Sequence, residues 1–408
     1  LGTDVNASET AEWNDGKGFD PVGDDQGEGF SGTFDGAGHS ITGLTIERPD
    51  THNVGLFGFI DDVGPSGYRD LGRVSDLRLT NVRISGEEYG GALAGGNTGM
   101  VRNASASGTV NGSKAVGGLF GINERGTVRN ASASGAVNGS SDVGGLVGWN
   151  WEGTVRNASA NATVNGSSDM GGLVGSTYRG SVSNSHYNLS EVSINGESKI
   201  TTGALFPTQF HDWQEDRELN LSEYDSLQKT GDGVELTSVQ GVKDSLGFTH
   251  DPSLNWTLGD EINLSRADID YIPYLAGDLD GNGHTLTVNI TSPTTSNVGA
   301  IGYNHRGEIS NLSVTGTVTG SWYVGGLVGQ NFEGTVRNAS ANATVSGSVS
   351  VGGLVGYNTG TVRNTFASAT VTGSDSLVGG LVGTNYGSVR NASASGTVAG
   401  SEGVGGLV

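Results

Sequence analysis

One glycine-rich phrase returns at a fixed interval along this chain, and that interval limits the folds open to it. The second glycine of the phrase, counted at Gly91, Gly118, Gly145 and Gly172, recurs every 27 residues, and the second half carries it at Gly326, Gly353, Gly380 and Gly406. Such a period marks stacked supersecondary units, none of which can bury its apolar face alone. The unit opens with Val-Gly-Gly-Leu-Val-Gly at 143–148 and passes through a polar turn to Gly153. Thr-Val-Arg-Asn at 154–157, an Ala-rich run over 158–164 and Asn-Gly-Ser at 165–167 complete it. These are three short strand-like runs punctuated by Gly, Asn and Ser, with no helical period. The expected fold is all-β: a parallel β-helix, that is a three-sided β-solenoid of 27-residue coils, rising about 4.8 Å per coil.

Side-chain parity predicts which way each wall faces. Ala158, Ala160, Ala162 and Val164 share one parity and are apolar, whereas Ser159, Asn161 and Thr163 share the other and are polar. The first set should face a narrow interior and the second water. Val155 lies on the opposite parity from Val164, so the chain must bend near Asn157 to bury both. Asparagine recurs at that bend, at Asn103, Asn130, Asn157 and Asn184 and again at Asn338, Asn364 and Asn391, where stacked amides can bond from coil to coil.

Two halves begin alike, with Phe-Asp-Gly-Ala-Gly-His at 34–39 and Leu-Asp-Gly-Asn-Gly-His at 279–284. The sequence therefore divides into a lead-in (1–29), a first solenoid module (30–186), a connector (187–272) and a second module (273–408). The chain ends within a repeat, and the array is expected to continue beyond residue 408. The connector loses the glycine pattern but holds Leu205, Phe206, Phe210, Trp213 and Trp256, too many apolar groups for a free linker. Short helices are expected there, capped by Ser222 and by Thr237 or Ser238.

Charge and composition exclude several functions. Forty-three acidic residues against 21 basic give a net charge of −22, the wrong sign for nucleic-acid binding. Only Lys17, Lys114, Lys199, Lys229 and Lys243 are lysines. Acid excess with few lysines fits a salt-loving archaeal source, where carboxylates hold water and concentrated salt screens their repulsion. With no cysteine, neither disulfides nor thiolate metal sites are possible. No run approaches a membrane span.

The recurring Val-Gly-Gly-Leu-Val-Gly at 143, 324 and 351, with Gly-Thr-Val-Arg-Asn and Val-x-Gly following, resembles the GLUG repeat family. The openers at 34–39 and 256–275 are similar to elements that precede such arrays. This chain departs from the family's frequent Asn-Cys by having Asn-Ala, as at Asn157-Ala158. The resemblance implies a secreted or surface-anchored, adhesin-like protein, with repeats serving as architecture and no catalytic residue.

Candidate sites are few. Outward-facing or turn sequons at Asn111, Asn138, Asn161, Asn165 and Asn342 are candidates for N-glycosylation. Aromatic residues after the glycine phrase, Trp149, Trp151, Tyr178, Tyr303, Phe332, Tyr357 and Tyr386, could form a ridge that stacks on sugars or on a neighbouring rod, or simply on itself. Asp278, Asp280 and Asn282 alternate oxygen ligands like the start of a Ca2+ loop, yet Asn289 stands where a bidentate Glu is needed, and a plain turn competes. No phosphate loop or zinc-protease motif occurs, and no carboxylate pair marks a cleft, so an enzyme is not expected. The reading is an extracellular structural or adhesive surface glycoprotein, a rigid stalk or filament subunit whose partners are other copies of itself or cell-surface glycans. The alternatives are a glycan-binding adhesin or viral fibre module, and a polysaccharide lyase or hydrolase.

Overall fold

The computed structural model describes residues 1–23, 29–61, 72–231 and 233–408; small parts of the lead-in and of the first module lie outside them. The chain is a parallel β-solenoid of stacked coils of about 27 residues. It divides into two compact units, residues 1–211 and 212–408. Each unit is built from three sheets, and nearly every strand pair is parallel.

One coil of the first unit shows how the sequence makes its sides. Ser141–Gly144 forms the first side and Val147–Trp151 the second, with Gly145 and Leu146 at the corner between them. After a turn at Glu152 and Gly153 the third side runs through Thr154–Arg156 and Ser159–Asn165. Identical positions stack in register: Val128 on Val155, Ala133 on Ala160 and Val137 on Val164. The parity argument holds side chain by side chain. Ala158, Ala160, Ala162, Val164 and Val155 are all buried, whereas Asn161 and Thr163 are exposed. The bend between the two runs is made by Asn157, whose φ of 53° lies in the left-handed region that Asn tolerates best after Gly.

The period is not uniform. Gly91 pairs with Gly117, not with Gly118, so that coil has 26 residues, and Gly379 pairs with Gly405 at the same interval. The residue gained or lost sits in the turn after the second side. In both of those coils the turn is Asn-x-Gly, at 97–99 and 385–387, one residue shorter than the Asn-x-x-Gly turns at 123–126 and 150–153.

The first side hides a feature that the sequence does not announce. One residue per coil has positive φ: Tyr89, Ala115, Asp142 and Asp169 in the first unit, and Tyr323, Ser350 and Leu377 in the second. Asp tolerates that region, as do Asn53, Asn297 and Gly403 at the same place in other coils, but Tyr, Ala, Ser and Leu do not favour it, so at those positions the closure of the coil imposes the conformation.

The segment 187–211 belongs to the first unit and extends its ladder. Tyr187, fully buried, pairs with Ala204, and its hydroxyl bonds to the Lys199 carbonyl at 2.5 Å, closing the interior beneath Gly172. In the second unit Gln228–Thr230 pairs antiparallel with Gly233–Leu236, which pairs in parallel to Asn255–Leu258, and that strand to Leu279–Asp280. The helix Val239–Ser245 is capped as expected by Ser238, whose hydroxyl accepts from Gly241 N–H at 3.1 Å. At 221–223 the cap is Asn220 rather than Ser222, because the amide oxygen reaches the Ser222 N–H. A further helix, Pro207–Asp216, was not expected; its signal is the proline at the first helical position.

Candidate functional site

The turn after the second side is where each coil concentrates chemistry. Its central residue is a buried asparagine, at Asn97, Asn123 and Asn150 in the first unit and Asn304, Asn331 and Asn358 in the second. Each amide donates to the next: Asn97 to Asn123 at 2.8 Å, Asn123 to Asn150 at 2.9 Å, Asn304 to Asn331 at 2.8 Å and Asn331 to Asn358 at 2.7 Å. The other amide hydrogen goes to the glycine carbonyl that ends the same turn, as from Asn331 to Gly334 at 3.1 Å. That glycine cannot be larger, since a Cβ on Gly334 would stand 2.3 Å from the Asn304 amide nitrogen.

Two more amide ladders run along the third side. The bend asparagines bond as anticipated, Asn130 to Asn103 at 3.0 Å and Asn184 to Asn157 at 3.0 Å, with Asp76 receiving Asn103 at the first rung. In the second unit Asp280 takes that place, accepting from Asn311 at 2.9 Å. Asn111, Asn138 and Asn165 form the last ladder, linked by bonds of 2.8 Å. This corrects their placement in freely exposed turns: they are half-buried, and the Nδ2 atoms of Asn138 and Asn165, the atoms a glycan would modify, already donate to a neighbour. Asn161 and Asn342 do project outward and are exposed; the Asn161 Nδ2 also donates, to the exposed Glu191 carboxylate at 3.3 Å, a contact at the surface and not a rung of a half-buried ladder.

The carboxylates of Asp278 and Asp280 are engaged within the fold. Asp278 accepts from Glu308 N–H at 2.7 Å, and Asp280 from both Asn282 N–H and the Asn311 amide. Arg337 bonds Glu308 at 2.6 Å beside them, and this ion pair, with the fields of Asp280 and Asp278, lifts its guanidinium further above its ordinary value. The group thus reads as a ladder base with its own counter-charge. No cluster of three or more metal-ligating side chains occurs among the described residues.

The aromatic residues do not form one ridge. They stand in two rows flanking the buried asparagines, and their exposure differs between units. In the second unit Tyr303, Phe332 and Tyr357 are buried, so only Tyr386, 74 % exposed, is open to a partner. Tyr274, Tyr303 and Phe332 stack on one another with centroids 5.5 and 6.3 Å apart, and the chain around Thr249 binds in beside them through Ala276 N–H at 2.8 Å. Tyr357 is flanked by Tyr323 and Tyr386. In the first unit Trp149, Trp151 and Tyr178 are only half-buried. The two indoles lie nearly parallel, 5.2 Å apart and 16° inclined, and Tyr178 meets Trp151 edge-on at 6.4 Å. Lys114 reaches over Trp149 at 6.0 Å and Arg179 over Tyr178 at 5.1 Å. Glu152 between them is held by Arg125 at 2.9 Å and Arg179 at 3.7 Å. Sequence parity could not separate the two units here, because burial depends on which rings meet on neighbouring coils, Tyr274 on Tyr303 and Tyr323 on Tyr357 in the second unit.

Burial has also displaced three titrations in the second unit. His305 and His250 are both pushed down to about 4, chiefly by desolvation, with the Arg306 charge adding to the effect at His305. Desolvation raises Asp270 to about 6. The neutral histidines stabilise the fold fully above their unfolded value near 6.5, and that contribution is lost as pH falls toward 4, at up to about 3 kcal/mol each. Asp270 has the opposite sign: it gains about 3 kcal/mol as pH falls from about 6 toward the unfolded carboxyl range. The sum is a loss of about 3 kcal/mol between pH 6.5 and 4. Hydrogen exchange at pH 7 and pH 4, corrected for intrinsic rates, should show protection falling first in peptides spanning 250 and 305, ahead of the coil 141–165. Uniform loss across the chain would contradict this assignment.

Comparison with known proteins places this geometry. The GLUG motif matches residues 139–165, 320–346, 347–372 and 374–399. Halomucin from Haloquadratum walsbyi is 42 % identical over 127 residues, which cover 30 % of this chain and 1 % of that protein. A protein named as a Gly-rich membrane protein from Evansella cellulosilytica is 38 % identical over 93 residues, 22 % of this chain and 10 % of its own length. The chain thus spans a small part of both relatives. A crystal structure from Bacteroides ovatus, assigned as an immunoglobulin A1 protease, overlaps 57 % of this chain and 82 % of its own with a TM-score of 0.40 and 18 % identity, a likeness too slight to bear on activity.

Proposed function

We propose that this array of GLUG repeats is a stiff, non-catalytic spacer in a cell-surface glycoprotein of a salt-adapted organism. The observation that carries it is the stacking itself: three sheets per unit, with asparagine ladders that tie successive coils together. A solenoid of this kind resists bending because every coil is bonded to the coils on both sides. Likeness to halomucin and to a Gly-rich membrane protein supports a place at the cell surface, and the halomucin source agrees with the net charge of −22. No helix among the described residues is long and apolar enough to cross a membrane. The exposed Asn161 and Asn342 are the positions we assign to N-glycans.

The test uses intact cells of the source organism. Antibody raised against the 408-residue chain should label them without permeabilisation, and glycopeptide analysis of the recovered protein should find modification at Asn161 or Asn342 before Asn138 or Asn165. Labelling only after permeabilisation would overturn the surface placement. An unmodified chain would remove the glycoprotein part of the reading and leave the spacer intact.

A further inference from the structure

We infer that Phe366 seats the glycan of Asn342, its ring packing against the apolar face of the first pyranose attached there. The inference rests on the assignment of an N-glycan to Asn342 and adds to it the side chain that holds the sugar against the solenoid wall.

The ring breaks a column of the repeat. At its register on the outer face of the third side stand Ser105, Ser132 and Ser159 in the first unit and Ser313, Ser340 and Ser393 in the second. Phe366 interrupts them between Ser340 and Ser393, with a strand on either side, so its exposure is not that of a sheet edge. It is 43 % exposed, and no ring or cation among the described residues stacks on it. The residue before it departs as well. Thr365 pairs with Ala392 and is 5 % exposed, and its hydroxyl has no hydrogen-bond partner. A phenyl left in water and an unmatched buried hydroxyl each cost stability, and here they fall side by side in a single coil.

The register supplies the occupant. Asn342 is exposed and opens the sequon Asn-Ala-Thr at 342–344. Ala341 pairs with Ala367 and Thr344 with Thr370, which sets Asn342 opposite Ser368, two residues along the same outer face from Phe366. Strand spacing and rise put such diagonal neighbours about 8 Å apart, a span that one sugar ring bridges. Phe366, Ser340 and Thr365 line a hollow of about 490 Å³, and Asn342 and Ser368 line one of about 280 Å³ beside it. A pyranose on Asn342 can therefore lie along the wall with its C–H face on the phenyl and its hydroxyls toward the surrounding serines and asparagines. The linking bond forms between Asn342 Nδ2 and the anomeric carbon of a sugar activated as a lipid-linked phosphate. The phosphate departs with the bonding pair, and the amide proton passes to the transferring enzyme.

The first unit provides the contrast. Asn161 holds the matching position, yet Ser159 there pairs with His186, which at 2 % exposure offers no open ring face. The Asn161 Nδ2 is also engaged with Glu191.

The experiment produces the whole 408-residue chain in an N-glycosylating haloarchaeal host and in a bacterial host that adds no glycan, and follows thermal unfolding in concentrated NaCl. In the glycosylated chain Asn342→Gln should lower the midpoint by about 2–4 °C. Phe366→Ser, which installs the residue of the neighbouring coils, should abolish that dependence, so that the double variant loses nothing more. Phe366→Trp should preserve it. In the bacterial product Asn342→Gln should be neutral with and without Phe366→Ser. Should glycopeptide analysis find Asn342 bare in the archaeal product, the glycan assignment fails and this inference falls with it. A glycan present at Asn342 whose removal costs the same with and without Phe366→Ser overturns the inference alone, as would an equal dependence on Phe366 in the bacterial product.

Discussion

Replacing Asn331 by Ala should cost roughly 3–5 kcal/mol, among the largest losses available to a single side chain in this molecule. Asn331 is fully buried and makes three bonds: it accepts from Asn304 at 2.8 Å and donates to Asn358 at 2.7 Å and to the Gly334 carbonyl at 3.1 Å. Truncation leaves the Asn358 oxygen and the Gly334 carbonyl without these donors, and water has no easy access to either. Asn331→Asp should be worse, since it also buries a charge between two amides. The outward Asn342→Ala is the control and should stay within about 0.5 kcal/mol. Denaturant unfolding of the three variants checks the order, and equal midpoints for Asn331→Ala and Asn342→Ala would refute the ladder's role.

Gly352→Ala should lower stability by more than about 3 kcal/mol, through contact rather than conformation. A Cβ there would stand 2.0 Å from the Val355 carbonyl oxygen, 2.6 Å from Gly383 N and 2.9 Å from the Leu381 oxygen. All three are backbone atoms of the corner or of the next coil, and none can swing aside as a side chain would. The adjacent Gly353→Ala is expected to cost only about 1–2 kcal/mol, although its added methyl would also lie close to a carbonyl, that of Gly380 at 2.2 Å. The reason lies in the chain itself. Strand register places Ala92 opposite Gly118 and Ala300 opposite Gly326, so alanine already occupies that second corner position in two coils, whereas the first position is glycine at Gly91, Gly117, Gly144, Gly299, Gly325 and Gly379. Comparing the two variants by thermal unfolding decides the matter, and similar midpoints would count against the steric account.

What could be read from the residues was whatever depends on period and parity. The burial of Ala158, Ala160 and Val164 and the bend at Asn157 followed from alternation alone. The two buried ladders, through Asn123 and Asn150 in the first unit and through Asn331 in the second, were missed because a polar residue in a polar turn reads as exposed. Their signal was present in the recurring Asn-x-x-Gly, where the glycine makes room for the amide. The left-handed position on the first side left only a weak sequence signal, since Asp142 and Asp169 share it with Ala115 and, in the second unit, with Leu377, whose angles coil closure sets. Exposure of the aromatic rows was equally hidden, being decided by which rings meet on neighbouring coils.

The turns after the second side have a further effect on how the chain finds its native threading. Nearly interchangeable coils invite a growing stack to skip one rung and close around the omission. Here Arg125 meets Glu152, which meets Arg179, and Arg306 meets Glu333. A stack that omitted the Glu152 rung would set Arg125 against Arg179, cation on cation, with no carboxylate between them. Each of these exposed pairs is worth little in the finished structure. Their alternation nonetheless works as an address, telling one otherwise anonymous layer from the next while the molecule assembles.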